Sequence, residues 1–363
     1  MIVDSHIHIF PPMGSASGHK SPRHHLRFVQ RELATNDRLP IRADLNAQVT
    51  QSLPLIKDNN YTFDGLVDRD FRSGGYGRLM WTSEGQDVYK QYLPPSMVNL
   101  EALPGVMVAT MNHSGVDKAV IHNGHLYGKL NEYQAKAIRD YPDRFWGLAV
   151  VDEWKAYHRS QLEVLEHAIK NLGLSGTWFD TRNIFFGGNN HKVEHRAFDT
   201  FFDLTKSLKT PVFWNCPANE PSKNSYLSTI RSLGKWLQKN PTIPCVLTNG
   251  FPFGFFTSKR GVVFPQEFWD IMKAPNLMVE LCFPIIFGGL IDYPYRELRP
   301  IIRQFYKHLG PEKLVWGTDA PNVERFCTYK QSLDYLKDYC SFIPDRHMDM
   351  ILGNNLARLF ENT

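Results

Sequence analysis

The residues of this chain best suited to chemistry stand at its two ends. Asp4-Ser5-His6-Ile7-His8-Ile9-Phe10 carries two histidines at alternate positions. Alternate side chains of a β-strand share a face, so His6 and His8 project together. Far along the chain, Leu314-Val315-Trp316-Gly317-Thr318-Asp319-Ala320-Pro321 is an apolar run that ends in an aspartate before a proline. Two neutral imidazoles and one carboxylate suffice to hold one divalent cation, zinc or manganese foremost. Such a cation polarises a substrate oxygen or lowers the pKa of bound water. The same two-histidine, one-carboxylate set also suits the non-heme iron of an oxygenase. An isolated H-x-H is more often a pair of histidines in ordinary hydrogen bonds. A convergent Asp319 shifts the balance toward a metal.

Convergence requires a fold that makes neighbours of the first and last strands. From Val116 onward, short β-branched or aromatic runs alternate with longer amphipathic stretches. Strands are expected at 116–122, 145–152, 174–180, 211–216, 244–250, 277–283 and 314–319, and the opening run 2–10 makes eight. Between them, 131–141, 161–171, 198–208 and 297–309 space apolar residues by three and four, as helices do. Eight βα units predict an α/β protein with a closed (β/α)₈ TIM barrel, whose first and last strands touch. A doubly wound open sheet is the alternative, but no G-x-G-x-x-G or G-x-x-x-x-G-K-[ST] follows the first strand. The 363 residues are read as one domain, 1–363, within which 11–105 form an insertion after the first strand, rich in Gly, Pro, Asp, Asn and Arg. An insertion there emerges at the face where barrel active sites are built, so a lid, a specificity element or a subunit contact is expected of it.

Composition narrows the partners. Lys plus Arg number 41 against 37 Asp plus Glu, a net charge of +4 that gives no polyanion footprint. The densest basic patch, Lys20, Arg23, Arg27, Arg31, Arg38 and Arg42, is broken by Glu32 and Asp37 and is read as a solvated or subunit-contact face. The apolar run 278–291 is interrupted by Glu280 and Pro284 and falls short of the ~18 residues of a membrane helix. The opening residues lack the series of features of a secretory signal, so the cytoplasm is the expected compartment. Five cysteines, Cys216, Cys245, Cys282, Cys327 and Cys340, are odd in number and form no C-x-x-C, which disfavours both a disulfide framework and a thiolate zinc site. A small-molecule substrate is expected, with no nucleic acid or membrane partner, in a homo- or hetero-oligomer.

Further motifs point to a family: Gly115-Val116-Asp117-Lys118-Ala119-Val120, Tyr141-Pro142-Asp143-Arg144-Phe145, Pro211-Val212-Phe213-Trp214 and Ile351-Leu352-Gly353-Asn354-Asn355-Leu356-Ala357-Arg358-Leu359-Phe360. With His6, His8 and the Gly317-Thr318-Asp319-Ala320-Pro321 turn, they make the chain resemble the amidohydrolase superfamily. The branch is the one that includes aminocarboxymuconate-semialdehyde decarboxylase and the hydroxyarene decarboxylases. The resemblance covers residues 1–10 and about 106–363 and implies a metal-dependent hydrolase or carboxy-lyase. It also implies histidines at the ends of the fifth and sixth strands, where this chain has Asn215 and Asn249. An amide oxygen is a weaker ligand and accepts no proton at neutral pH, so Asn215 and Asn249 are expected to ligate weakly or to orient water or substrate. No lysine stands in 173–180 to bridge two metals.

Three readings follow. The first is a zinc or manganese enzyme that hydrolyses or non-oxidatively decarboxylates a small carboxylated molecule, with Asp319 as proton shuttle. The second is an iron-dependent hydroxylase, an offshoot of the superfamily that the long aromatic insertion resembles. The third is a partner subunit of a hetero-oligomeric enzyme with a reduced, structural metal site. Additional ligands are sought in His122, Glu280 and Asp180, each of which could equally serve an ordinary hydrogen bond or ion pair. His19, His24 and His25 are read as solvated or subunit-contact residues, with folding over the mouth as the alternative. A carboxylated substrate calls for a bidentate arginine, for which Arg72 and Arg78 are the candidates. Tyr76 and Trp214 would supply an aromatic wall, unless Trp214 packs behind the barrel.

Overall fold

Eight short runs pair side by side and in parallel: β1 (Val3–Ile7), β2 (Lys118–Ile121), β3 (Phe145–Ala149), β4 (Gly176–Asp180), β5 (Val212–Asn215), β6 (Cys245–Thr248), β7 (Leu277–Leu281) and β8 (Leu314–Trp316). The structure, a computed structural model, describes residues 1–35, 39–49, 54–58, 60, 62–188, 191–215, 222–249, 251–259, 261–287 and 289–361. Arg38, Asp37 and Cys216 lie outside the described residues. Every expected strand is present, and the last residues of most predicted runs turn instead into the loops that carry side chains over the mouth. Helices Asn131–Asp140, Arg159–Lys170, Asp199–Ser207 and Arg299–Leu309 fall where the periodicity places them. The (β/α)₈ barrel is therefore the architecture. No helix among the described residues is long and apolar enough to cross a membrane.

Alternation sorts the strand side chains into two cores. Val3, Val120, Leu148, Trp178, Phe213, Val246 and Val315 fill the barrel interior. Leu356 and Leu359 of the closing helix Asn355–Glu361 belong to the same cluster, and Phe360 stacks on Trp146 at 4.5 Å near the strand starts. The opposite faces, among them Ala119, Ile121, Phe179, Trp214, Leu247 and Trp316, pack under the helices.

β1 breaks its own alternation. Val3 belongs to the interior, yet Ile7 and Ile9 belong to the outer core, although all three are odd-numbered. Its pairing with β2 runs Val3↔Lys118, Asp4↔Ala119 and then Ile7↔Ile121, so three steps on β1 match two on β2. This is a β-bulge, and it turns His6 and His8 inward. The Asp4 carboxylate holds it: Oδ1 accepts from the N–H groups of His6 and Thr318, both at 3.0 Å, and Oδ2 accepts from Thr318 Oγ1 at 2.7 Å and Tyr329 at 2.8 Å. Beside it the barrel closes, with His8 N donating to Ala320 O at 2.7 Å and Asp319 N to His6 O at 2.9 Å.

Residues after β1 form a satellite of the barrel. Helix α1 (Pro22–Ala34) starts at Ser21, whose hydroxyl accepts from His24 N, with proline in the first turn. A five-stranded antiparallel sheet follows, ordered Ala47–Gln48, Ile41–Arg42, Gln86–Gln91, Arg78–Ser83, Arg72–Ser73. Its core of Phe10, Met13, Val29, Leu33, Trp81 and Val88 is shared with Leu126, Tyr127 and Leu130 beyond β2, which ties the insertion to the mouth. Two expectations for this segment are corrected. Arg31 is fully buried, its guanidinium over Phe63 at 4.7 Å and Trp154 at 5.6 Å, so it is no part of a solvated basic face. His19 and His25 are buried too, His25 through bonds to Ser15 O at 3.1 Å and Leu126 O at 2.9 Å, because α1 is pressed onto the loop after β2.

Two outcomes follow from this packing. Asp4→Ala leaves four donors without their acceptor and opens the seam between β1 and β8, so denaturant unfolding should show a loss on the order of 3 kcal/mol. His19 has no hydrogen-bond partner at either ring nitrogen, and burial, with His25, His125 and Lys129, pushes its pKa down to about 3. Its contribution to stability is complete above the ordinary histidine pKa and is lost as pH falls from there toward 3, by at most about 1.4 kcal/mol per pH unit. Denaturation at pH 7 and pH 5 should show this slope in the native chain and a shallower one in His19→Phe.

Candidate functional site

The bulge in β1 and the turn after β8 bring three ligand atoms together. One ligand atom each from His6, His8 and Asp319 lies within 4.8 Å of the others, and all three residues are buried. Asp319 Oδ1 is 2.8 Å from His8 Nε2 and 4.0 Å from His6 Nε2. The far nitrogen of each imidazole is pinned. His6 Nδ1 donates to Glu280, 3.1 Å from both oxygens, and His8 Nδ1 donates to the His122 carbonyl. With Nδ1 of each ring held by its acceptor, Nε2 of each ring is turned toward the Asp319 carboxylate, His8 Nε2 within hydrogen-bond distance of Oδ1. Burial, outweighing the hydrogen bond and charge of Asp319, holds the His8 pKa below its ordinary value. Burial raises Asp319, but His8, His6 and Asn322 more than reverse this and keep its pKa below the usual value, so it is ionised. Two imidazole Nε2 atoms and a carboxylate thus face one point, and a cation, taking the place of the Nε2 protons, is what such a donor set fits.

The rest of the pocket floor serves these three. Asn249 Nδ2 donates to Asp319 Oδ2 at 3.1 Å and Asn322 Nδ2 to Oδ1 at 2.7 Å. Asp319 and Asn249 both adopt the left-handed region, φ 59° and 45°, which costs least for Asp and Asn among residues bearing a side chain. His6 is lifted to about 9: burial opposes its charge, but Glu280, then Asp319 and Asp4, outweigh it. Glu280 fits under His6 because β8 continues into Gly317, where a Cβ would stand 2.5 Å from Ser5 Oγ and 2.7 Å from Glu280 Oε1. His6, Glu280 and Cys282 also cluster within ligand range, but burial, with Glu280 and Asp319, pushes the Cys282 thiol far up and keeps it protonated.

A cavity of about 390 Å³ opens above, lined by His6, His8 and Asp319 on one side and Asp180, Arg182 and Asn215 on another. Arg182 grips Asp180 as a fork, Nε at 3.0 Å from Oδ1 and Nη2 at 2.5 Å from Oδ2. Asn215 Nδ2 donates to the same Oδ2 at 2.9 Å.

The sequence-predicted residues separate cleanly. His6, His8 and Asp319 converge. Asn249 reaches them as a donor to Asp319, whereas Asn215 donates to Asp180. Asp180 lines the cavity but spends both oxygens on Arg182 and Asn215. Glu280 stands behind His6. His122 stacks on His6 at 4.0 Å, and burial, with His6 and His8, holds it neutral. The substrate-binding assignments to Arg72, Arg78, Tyr76 and Trp214 are corrected, since none lines the cavity. Arg72 pairs with Asp70 at 2.9 Å and Asp87 at 2.7 Å on the antiparallel sheet, and Arg78 lies over Tyr89. Tyr76 is exposed, and Trp214 packs behind the barrel against Trp236 at 4.6 Å. Glu32, Tyr92, Tyr127, Trp178, Arg182, Asn322 and Arg325 line the cavity and were not anticipated. Asp180-Thr181-Arg182 at a strand end was the one legible signal among them.

The sequence matches the Amidohydrolase family over residues 3–361. No curated protein matches. Similar folds occur in a probable 2-pyrone-4,6-dicarboxylic acid hydrolase from Acinetobacter baumannii, 20% identical, covering 72% of this chain and 90% of that one at a TM-score of 0.55. The 5-carboxyvanillate decarboxylase of Sphingomonas paucimobilis is 16% identical over 74% of this chain and 86% of that one, TM-score 0.52. A dihydroxybenzoic acid decarboxylase from Polaromonas, solved with manganese and an inhibitor, is 15% identical over 72% and 87%, TM-score 0.52.

Gly317→Ala tests how the floor is supported. The added methyl should force Glu280 off His6 at a cost of about 1–3 kcal/mol in denaturant unfolding. Ring ¹⁵N shifts of His6 should then show loss of the fixed Nδ1–H form, whereas unchanged shifts would mean that Glu280 does not set this ring.

Proposed function

For a chain that belongs to the Amidohydrolase family, we propose a metal-dependent enzyme in which His6, His8 and Asp319 hold one divalent cation, zinc or manganese. The supporting observation is the convergence of Nε2, Nε2 and carboxylate on one buried point, with Nδ1 of both rings already committed to acceptors. The reaction is hydrolysis or non-oxidative decarboxylation of a small carboxylated substrate. The cation supplies Lewis acidity toward a substrate oxygen. Arg325 and the indole N–H of Trp178 line the cavity and offer donors to a carboxylate or phenolic oxygen. Asn249 and Asn322 hold Asp319 in place. Asp319, ionised and bonded at both oxygens, acts as ligand, and the proton-shuttle role expected of it passes elsewhere. The similar structures support the substrate class, since two are named decarboxylases of aromatic acids and one a hydrolase of a pyrone dicarboxylic acid.

One observation favours a second reading. Asn215 donates its amide to Asp180, and of the imidazole, thiol and carboxylate side chains among the described residues two histidines and one aspartate converge here, which is also the facial set of a non-heme iron oxygenase.

Metal analysis of protein purified without added metal separates the two. Zinc or manganese near one per chain, with oxygen-independent turnover of 2-pyrone-4,6-dicarboxylate, 5-carboxyvanillate or a dihydroxybenzoate, is the expected result. Stoichiometric iron with oxygen uptake on adding substrate would replace the first reading by the second. His8→Ala and Asp319→Asn should each weaken metal binding by at least ~100-fold, and Glu280→Gln by ~10–100-fold through the orientation of His6.

A further inference from the structure

The insertion enters the cavity through Glu32, Thr35 and Tyr92. The other acids and bases that line it are committed. Asp319 carries His8, Asn249 and Asn322, and Asp180 carries the Arg182 fork and Asn215. His125 aims Nε2 at Glu153 and Val151 O, both at 3.0 Å, and its Nδ1 is fully buried. Tyr92 and Tyr127 are pushed up by burial and hold their protons at neutral pH. Glu32 differs. Its carboxylate has one ion contact among the described residues, 3.5 Å from Arg182 Nη2, the nitrogen that already holds Asp180 at 2.5 Å.

We propose that Glu32, delivered by α1 of the insertion, is the catalytic proton-transfer residue of this cavity. The proposal rests on the metal-dependent reading above and names the group that moves the proton. One guanidinium stands between two carboxylates, 2.5 Å from Asp180 and 3.5 Å from Glu32, so Glu32 is the more loosely held of the two where it lines the cavity. Burial pushes its pKa up and Asp180 adds to this, against the pull of Arg182, Arg31 and His125, while Tyr92 lines the cavity beside it. In a decarboxylation, the bond from carbon to the departing carboxylate breaks, carbon dioxide leaves, and the electron pair left on carbon takes the Glu32 proton; water then reprotonates Glu32. In a hydrolysis, the Glu32 carboxylate takes a proton from water as the water oxygen bonds the acyl carbon, and gives it to the leaving oxygen as that bond breaks.

Two measurements on the full chain decide this. In protein carrying ¹³C-carboxyl glutamate, with and without bound metal, the resonance lost in Glu32→Gln should titrate above the ordinary glutamate value of about 4.3. With whichever of the three acids above the enzyme turns over, Glu32→Gln should lower kcat by about 100-fold or more, with metal content and Tm unchanged, and Glu32→Asp should recover part of it. Glutamine preserves a polar contact to Arg182, so a purely structural role predicts unchanged kcat, which would overturn the proposal. A Glu32 midpoint at or below the ordinary value would overturn it as well. Failure of the native chain to turn over any of the acids counts against the metal-dependent reading, and the titration still decides the state of Glu32.

Discussion

The buried carboxylate of Asp4 is the constraint on which the rest of the site depends. It accepts four donors drawn from β1, the turn after β8 and the helix Tyr329–Lys337 that follows. A strand that carried its interior residues in regular alternation from Val3 would turn His6 and His8 toward the helices. One extra residue reverses the parity, and Asp4 satisfies the N–H that the reversal leaves unpaired. The same group fastens Thr318 next to Asp319. Barrel closure and ligand convergence are thus a single packing event.

Around that seam, carboxylates of one chemical type acquire different work from their neighbours. Glu280, enclosed below His6, holds the imidazole by Nδ1 and stabilises its charge. Asp319, ringed by amide donors and imidazoles, stays ionised. Asp180 is neutralised by a forked arginine. Glu32 is buried with a share of an arginine already in use. Environment rather than residue type sorts structural, ligating and protic roles, as expected where desolvation and specific partners compete.

Much of this was legible in the sequence. The barrel strands announce themselves because each is a short apolar run between turn residues, and His6, His8 and Asp319 could be placed because barrel closure makes neighbours of the first and last strands. The bulge was not legible, since a one-residue slip leaves the H-x-H spacing unchanged and shows only in which odd-numbered residues are interior. Of the two places open to Trp214, an aromatic wall or packing behind the barrel, the second holds, because it sits one residue before Asn215, on the outward face. Arg72 and Arg78 drew attention through their glycine-rich surroundings, but those glycines turn the edge of a separate antiparallel sheet. Glu32 left no trace in the pattern, because its approach to the cavity is set by α1 docking through Phe28 and Arg31 on side chains such as His125 and Trp154, contacts with no local periodicity.

The seam between β1 and β8 also has a meaning in time. His8 and Asp319 are 311 residues apart in the chain. At a synthesis rate of roughly 5–20 residues per second, the two imidazoles leave the ribosome some fifteen to sixty seconds ahead of the carboxylate that completes their set. Throughout that interval β1 has only β2 beside it, and its bulge lacks Thr318 and Tyr329. The full donor set is therefore complete only once β8 has joined β1, so the three-residue site is a property of the closed barrel and not of any segment of the chain that precedes it.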